Sequence, residues 1–288
     1  MIPNKTIYIG LFILTVMSVN SYSSSKSDLF STGIGVCTNY SNSGILIANG
    51  FSFVEESVGQ LLVPGKSEDE FEEIMDDLSN YPLPVIACNS FIPGKLKSVG
   101  PNAVHSEILE FAKIVFRRAQ RVGIKIIVFG SGGSRSIPEG FSREEAHQQF
   151  INLCKKMAPL AEKHGITIVL EPLNKQECNF INSVAEGGEI VKKVNHPNFR
   201  LLADIYHMKM DNESSDNIIK YGKLIKHVHI AEKQDRAVPG THNEDFHSYF
   251  NALKEIKYKG GISIEARWSN LKLQAPIAIE TIISQIKK

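Results

Sequence analysis

Eight short runs of aliphatic and β-branched residues alternate with longer amphipathic segments along this chain. The runs occupy residues 32–37, 51–55, 83–88, 124–129, 166–171, 199–204, 225–229 and 261–265. Residues 68–78, 104–121 and 143–163 show the 3.6-residue periodicity of amphipathic helices. Strand signals that alternate with helix signals predict a parallel sheet whose crossovers are helices. Eight such units favour an α/β fold with a single closed (β/α)8 barrel, a TIM barrel, over an open sheet.

The polar residues that end the last four runs are the main functional signal. They are Glu171, Asp204, His229 and Glu265. Because the carboxyl ends of all strands in a parallel barrel meet at one face, three carboxylates and one imidazole are expected to share its mouth. Like charges gather in one place only around a cation. Oxygen ligands with a single imidazole predict one divalent metal ion, Mn²⁺ first, with Mg²⁺ or Co²⁺ as alternatives.

The length and charge of the chain restrict its class. At 288 residues with 42% hydrophobic content, the chain can form one barrel of about 250 residues plus a leader. Its 32 basic and 31 acidic side chains leave a formal net charge of +1. A nearly neutral protein does not attract a polyanion, so nucleic acid is not an expected partner.

The first 25 residues resemble a secretory signal. A single lysine precedes an almost wholly apolar stretch at residues 7–19, and a serine-rich segment follows. This stretch is shorter than the roughly 20 residues that span a bilayer stably, and an uncleaved anchor is the alternative interpretation. We therefore expect a cleaved signal peptide at residues 1–25, a catalytic barrel at residues 26–288, no stable membrane anchor, and export to the periplasm or the medium. The four cysteines show no pairing pattern, so buried free thiols are expected.

Three features adjoin the predicted site. The glycine-rich loop at residues 130–135 is interpreted first as a flexible part of the barrel mouth, and second as a phosphate cradle that includes Arg135. Glu55, at the end of the second run, is expected to reach the rim or to pair with a lysine. His227 is expected to point out of the barrel toward the helices and not to be a ligand.

The sequence around the predicted ligands resembles a known enzyme family. The segments LEPLN (170–174), DIYH (204–207), HVHIAE (227–232) and IE (264–265) are similar to the metal-site motifs of the sugar (phosphate) isomerase/epimerase family. That family has a xylose isomerase-like TIM barrel and includes D-tagatose 3-epimerase, D-psicose 3-epimerase and hydroxypyruvate isomerase. The resemblance runs from about residue 32 to the C-terminus and is most specific between residues 166 and 265.

The resemblance implies roles for individual side chains. Glu171 and Glu265 would be the catalytic acid/base pair and would also bind the metal, together with Asp204 and His229. The substrate-binding positions of the family fall on Glu177, His207 and Arg236. One extra residue separates Arg236 from His229 here, relative to the family pattern. The implied partner is a small-molecule sugar or keto-glycoside, and homo-oligomer formation is left open.

The implied reaction is proton transfer beside a carbonyl. A divalent ion that chelates a carbonyl and a neighbouring hydroxyl acidifies the C–H between them and stabilises an enediolate. Two carboxylates can then remove and return the proton. We therefore expect a metal-dependent isomerase or epimerase that acts on a keto sugar or a related polyhydroxy carbonyl. The alternative is a lyase that cleaves a 3-keto-glycoside by β-elimination at the same metal site.

Two other classes fit the sequence less well. Enzymes of the endonuclease IV type share this barrel, but they use more histidine ligands around several zinc ions and a basic surface. A non-catalytic sugar-binding barrel is expected to lose at least one of the four ligands, and all four are present.

Overall fold

Eight parallel strands pair in chain order, and the first also pairs with the eighth, so that the sheet closes on itself. The computed structural model describes residues 29–287, and the predicted signal peptide at residues 1–25 lies outside them. The strands are β1 (Ile34–Cys37), β2 (Phe53–Ser57), β3 (Val85–Asn89), β4 (Ile126–Phe129), β5 (Thr167–Leu170), β6 (Phe199–Asp204), β7 (Ile225–Ile230) and β8 (Ile262–Ile264). Each predicted strand is present, which confirms the (β/α)8 barrel.

Helices connect successive strands and surround the barrel. They are α1 (Ser43–Ala48), α2 (Val58–Leu61), α3 (Glu68–Leu78), α4 (His105–Val122), α5 (Gly132–Arg135), α6 (Arg143–Lys163), α7 (Val184–Val194), α8 (Ile205–Met210), α9 (Asp216–Tyr221), α10 (His247–Glu255) and α11 (Leu271–Lys287). The three helices predicted from periodicity, α3, α4 and α6, lie within one residue of their predicted bounds. In the part of the chain that the structure describes, no helix combines the length and the apolar character needed to cross a membrane.

Alternation along each strand divides the side chains between two environments. Phe129 of β4 points outward, and its ring centroid lies 5.2 Å from that of Phe150 on α6. Its neighbour Val128 belongs instead to a small separate cluster with Val169 and Leu202. Successive side chains of a strand point to opposite faces, so this second cluster fills the interior of the barrel. The β4–β6 half of that interior is therefore apolar.

The expectation that His227 points toward the helices is wrong. Residues two positions apart on a strand share a face, so His227 points into the barrel with His229. The two ring centroids are 5.1 Å apart. Val228, between them, packs in the main core outside the barrel. The β7 side of the interior is therefore polar, in contrast to the β4–β6 half.

The four cysteines are free, as expected. Cys88, Cys154 and Cys178 are buried, whereas Cys37 is partly exposed. Burial raises the pKa of the Cys88 and Cys154 thiols well above the ordinary value, so they remain protonated and unreactive. Their role is therefore to fill space in the core.

Candidate metal and substrate site

The four predicted metal ligands converge at the carboxyl end of the barrel. Glu171 follows β5, Asp204 ends β6, His229 lies in β7 and Glu265 follows β8. One ligand atom from each residue can be chosen so that all four atoms lie within 4.8 Å of one another. Nδ1 of His229 is 3.0 Å from a Glu171 oxygen and 3.2 Å from a Glu265 oxygen. The structure therefore brings the whole predicted ligand set together.

The electrostatics of this cluster fit a divalent cation. Burial raises the pKa of Glu171, and it raises the pKa of Asp204 to about 6. Partial burial also opposes ionisation of Glu265, but the charges of His229 and Arg236 outweigh it and leave the pKa of Glu265 below its ordinary value. Within residues 29–287, Oδ2 of Asp204 has no hydrogen-bond partner. This buried carboxylate oxygen lies 3.5 Å from Nε2 of His207 and accepts no hydrogen bond from it. Beside two further carboxylates, it suits a cation that prefers oxygen ligands.

Asp204 also begins a helix, which fixes the direction of its carboxylate. Its Oδ1 accepts hydrogen bonds from the backbone N–H groups of Tyr206 at 2.7 Å and His207 at 3.4 Å, as the N-cap of α8. A register shift next to Leu202 places Asp204 directly beside His229 on the neighbouring strand. The free Oδ2 is consequently held toward the other ligands.

Arg236 links the metal cluster to the predicted substrate residues. Its Nη2 donates to Glu265 Oε2 at 2.5 Å, and its Nη1 donates to Glu177 Oε1 at 3.4 Å. The guanidinium lies 4.6 Å from the ring centroid of Tyr206. Arg236 and the preceding Asp235 both adopt left-handed φ angles, 51° and 61°. Such backbone strain in non-glycine residues is concentrated at functional sites, and here it brings Arg236 to the cluster despite the extra residue in the sequence.

A cavity of about 390 Å³ opens beside the cluster. The predicted catalytic and substrate-binding residues all border it: Glu171, Glu177, His207, Arg236 and Glu265. Leu173 and the loops that follow β3 and β4 form the rest of its wall. Small-molecule sites typically occupy about 300–1,000 Å³, so a monosaccharide-sized ligand fits this space.

The glycine-rich loop after β4 shapes the cavity. Gly130 and Gly132 line it, whereas Arg135 is buried, donates to the Phe129 carbonyl, and is not among the described residues of the cavity wall. The structure thus supports the first interpretation of this loop, as part of the barrel mouth. It does not support the second, a phosphate cradle that includes Arg135. A Cβ on Gly130 would lie 2.1 Å from Oε2 of Glu171, so the observed position of this carboxylate requires glycine at position 130.

A buried polar group whose position the sequence analysis did not predict lies next to the cluster. Glu55 is fully buried inside the barrel, where its carboxylate contacts His227, His229 and Ser263. Its expected position, at the rim or beside a lysine, is wrong. Burial alone would lower the pKa of His229, but the nearby carboxylates, Glu55 foremost, raise it well above the ordinary value. The two-residue alternation of a strand could have predicted this position. Val54 faces outward, so its neighbour Glu55 faces the interior of the barrel.

Comparison with known proteins finds a matching family and a similar epimerase. Residues 45–285 match the family described as xylose isomerase-like TIM barrel. L-ribulose 3-epimerase from Methylomonas sp. (strain DH-1) is 36% identical over 128 residues, which cover 44% of each chain. The chain thus spans less than half the length of this relative in the alignment.

Two solved structures share the fold. D-psicose 3-epimerase with D-tagatose, from Clostridium cellulolyticum H10, superposes with a TM-score of 0.76 at 18% identity, covering 88% of this chain and 99% of that one. The IOLI protein with a zinc atom superposes with a TM-score of 0.70 at 19% identity, covering 88% and 98%. At these identities, the two structures show a common barrel.

Proposed function

Because the chain belongs to the xylose isomerase-like TIM barrel family, we propose that it is a divalent-metal-dependent isomerase or epimerase of a keto sugar or a related polyhydroxy carbonyl. One observation carries the proposal: Glu171 and Glu265 border the same cavity and both contact Nδ1 of His229. The epimerase name of the similar Methylomonas protein and the D-tagatose in the Clostridium structure support a ketose as substrate.

In this proposal Glu171, Asp204, Glu265 and Nδ1 of His229 would hold the cation. When bound, a divalent ion would acidify the C–H beside a chelated carbonyl and stabilise the negative charge that develops on the substrate oxygens. The zinc atom in the IOLI structure supports a divalent ion in this barrel. The predominance of oxygen ligands supports Mn²⁺, Mg²⁺ or Co²⁺ as the native ion.

The two glutamates would carry the proton. One carboxylate accepts it from the carbon next to the carbonyl, the electron pair of the broken C–H bond forms a C=C bond, and the carbonyl π electrons move to the oxygen, which gives an enediolate. The other glutamate, in its carboxylic acid form, returns a proton. Return to the opposite face of the same carbon inverts that centre. Return to the neighbouring carbon, with the hydroxyl proton passing to the former carbonyl oxygen, moves the carbonyl. Epimerisation and isomerisation therefore require the same two side chains.

The remaining cavity residues would orient a neutral sugar. His207 presents Nε2, which has no hydrogen-bond partner in the described part of the chain, and Glu177 can accept from a substrate hydroxyl. Among the described residues that line the cavity, Arg236 carries the one permanent positive charge, and it is already paired with Glu265 and Glu177. A substrate phosphate would thus lack an unpaired cation, which favours an unphosphorylated sugar.

Deuterium exchange tests the reaction and separates it from the alternative. The purified protein with Mn²⁺ is incubated in D₂O with a panel of ketopentoses and ketohexoses, and separately with 3-keto-glycosides. Deuterium incorporation together with a new epimer or isomer is the expected result. Release of the aglycone from a 3-keto-glycoside, without exchange into free ketoses, would instead establish β-elimination.

Two variants test the acid/base assignment. Glu171→Gln and Glu265→Gln should each lower turnover by about 10²–10⁴-fold, the usual contribution of a general acid or base. Glu56→Gln is the matched control, because Glu56 is as buried as Glu171 but accepts backbone N–H groups of Tyr40 and Ser57 instead of facing the cavity. Full turnover in both site variants, with metal still bound, would contradict the assignment.

We also propose that the protein acts outside the cytoplasm. The support is the sequence of residues 1–25, a charged start, an apolar stretch and a serine-rich segment. Cell fractionation with N-terminal sequencing of the recovered protein tests this. A mature chain that begins near residue 26 in the periplasm or medium is expected, and an uncleaved chain in the cytoplasm would contradict it.

A further inference from the structure

The buried carboxylate of Glu55 bears on how the ligand His229 is held. Ser263 Oγ donates to Glu55 at 2.7 Å, and Nε2 of His227 lies 2.8 Å from the same carboxylate oxygen. Nε2 of His229 lies 3.0 Å from one oxygen and 3.1 Å from the other. All four side chains are fully buried, so no bulk water competes for these contacts. Glu55 is thus surrounded by three potential donors.

This contact determines which ring nitrogen of His229 carries a proton. An ionised carboxylate can only accept hydrogen bonds, so Nε2, which faces Glu55, must be protonated. In a neutral ring the lone pair is then on Nδ1. Nδ1 faces Glu171 and Glu265, at 3.0 Å and 3.2 Å. Because Nδ1 also faces carboxylates, the ring of the metal-free protein is protonated on both nitrogens. A cation bound between Glu171 and Glu265 would replace only the Nδ1 proton, so the lone pair would face the cation while the N–H of Nε2 stays with Glu55.

We propose that Glu55 is a positioning residue for the metal site: it fixes Nδ1 as the ligand atom of His229 and strengthens that ligand through its negative charge. The inference rests on the proposed function, because it concerns the same cation. A carboxylate behind a ligating imidazole fixes the tautomer and the ring orientation and raises the basicity of the ligand. Among the described residues, Glu55 is not part of the cavity wall, so it acts through His229 and not on substrate.

His227 and Ser263 hold Glu55 in turn. Both contact its Oε2, so the carboxylate is tied to β7 and β8 from its place on β2. The ring of Phe53 packs near His227, with ring centroids 6.4 Å apart. The ring fits because residue 35 is glycine, since a Cβ at that position would lie 2.1 Å from it. The neighbours of Glu55 thus restrict the orientation of its carboxylate on several sides. This explains why a histidine without a ligand role occupies position 227.

Cobalt binding tests the proposal with a readout other than turnover. Co²⁺ is titrated into the metal-free protein, and the visible absorption spectrum reports both the affinity and the ligand geometry. Glu55→Gln keeps the size of the side chain but replaces an acceptor oxygen with an NH₂ donor that faces other donors. We expect Co²⁺ affinity to fall about 10–100-fold and the absorption bands to shift.

Glu56→Gln is the control, because it makes the same substitution at the next residue of β2. Its carboxylate accepts from the backbone of Tyr40 and Ser57 and does not contact the histidines. This variant should bind Co²⁺ with the wild-type affinity and spectrum. An equal loss of affinity in both variants would mean that Glu55 contributes only general stability, and would overturn the proposal.

A second measurement needs no variant and therefore holds even if Glu55→Gln fails to fold. The wild-type protein is labelled with ¹⁵N-histidine and loaded with Zn²⁺, and its ring nitrogens are observed by NMR. His229 should show a protonated Nε2 and a metal-bound Nδ1. The reverse assignment would overturn the proposal.

The outcomes separate this inference from the proposed function. Wild-type protein that does not bind Co²⁺ would contradict the proposed function itself. If Glu55→Gln binds Co²⁺ with the wild-type affinity and spectrum, the positioning role of Glu55 is overturned and the proposed function stands. Cys37, Glu55 and His229 also lie close enough together to ligate one ion. A second equivalent of Co²⁺ that is lost in Cys37→Ser would make Glu55 a direct ligand, and would also overturn its positioning role.

Discussion

Asn174 directs two N–H groups at one atom of His207: its backbone nitrogen lies 3.2 Å from Nδ1 and its side-chain Nδ2 lies 2.8 Å from it. Two donors require a lone pair on Nδ1. Burial lowers the pKa of His207, so the ring is neutral and its proton is on Nε2. Because His207 lines the cavity, this arrangement prepares Nε2–H to donate to a substrate oxygen.

We expect Asn174→Asp to reverse the polarity of His207. A carboxylate oxygen would accept where Nδ2 donates, which favours a proton on Nδ1 and leaves Nε2 without one. An unpaired polar contact costs about 1–3 kcal/mol, so kcat/KM on the ketose substrate should fall about 10- to 100-fold. Asn152→Asp, on the exposed face of α6, is the control. Unchanged kcat/KM, measured by steady-state kinetics, would show that Asn174 does not set the tautomer.

Gly130→Ala should impair the site without unfolding the protein. The new Cβ would lie 2.1 Å from Oε2 of Glu171, at the end of a side chain that can move away. We expect weaker Mn²⁺ binding and at least about tenfold lower turnover, since small misplacements of catalytic groups cost about 10²-fold. Calorimetry and kinetics measure the two effects. Gly59→Ala, with open space around position 59, should change neither, and the same result for Gly130→Ala would contradict the prediction.

Asp204→Asn should stabilise the metal-free protein in a pH-dependent way. Burial raises the folded-state pKa of Asp204 from 3.8 to about 6, so the folded protein binds this proton more tightly than the unfolded chain does. The contribution of Asp204 to stability therefore decreases as the pH rises from about 4 to about 6 and is constant above that range. At pH 8 the variant should gain about 3 kcal/mol in the free energy of unfolding, and about half of that at pH 5. Its Oδ1 can still cap α8.

Denaturant unfolding at pH 5 and pH 8, with a metal chelator present, measures this difference. Cobalt titration of the same variant should show loss of binding, because Asp204 is one of the four proposed ligands. An equal gain in stability at both pH values would exclude proton linkage through Asp204 as its cause.

Arg118→Ala should be among the most destabilising substitutions in α4. The guanidinium is buried and donates to the Glu68 carboxylate and to four backbone carbonyls, those of Leu62, Val63, Lys66 and Ser67. Removing it leaves buried acceptors without a partner, which should lower the free energy of unfolding by about 3–5 kcal/mol. Arg117→Ala removes a half-exposed contact with the same Glu68 and should cost less than about 1 kcal/mol. Similar losses in both variants would contradict this.

The barrel could be predicted because its local signals agree with one another. Strands of a parallel barrel are buried on both faces and therefore form continuous apolar runs, as Thr167–Leu170 does. Helices such as Glu68–Leu78 show both the periodicity and an N-cap, here Ser67 with Glu70 in a capping box. These features depend on neighbouring residues and are visible in a single sequence.

The ligand cluster could also be predicted, because the carboxyl ends of the strands converge independently of the loop conformations. The orientation of His227 and the position of Glu55 could not be predicted in this way. Their contact joins residues that are 172 positions apart, and a single sequence does not state which buried polar groups meet. The outward direction assigned to His227 also broke the two-residue period of a strand. The hydrogen bonds of Arg118 to loop carbonyls could not be predicted for a related reason. Every residue carries a backbone carbonyl, so the side-chain pattern does not indicate which carbonyls accept.

The hydrogen bond between Ser263 and Glu55 spans 208 residues of sequence, which has a consequence for the order of folding. Contacts between distant residues form late, because the entropy of closing the intervening loop must be overcome first. His229 therefore gains its full support only after β8 has docked against β1. A folding chain could gather some ligands earlier, but it should capture its ion only when the barrel closes. In rapid-mixing refolding with Co²⁺, the absorption of the bound ion should appear with the last kinetic phase, and an earlier appearance would refute this order.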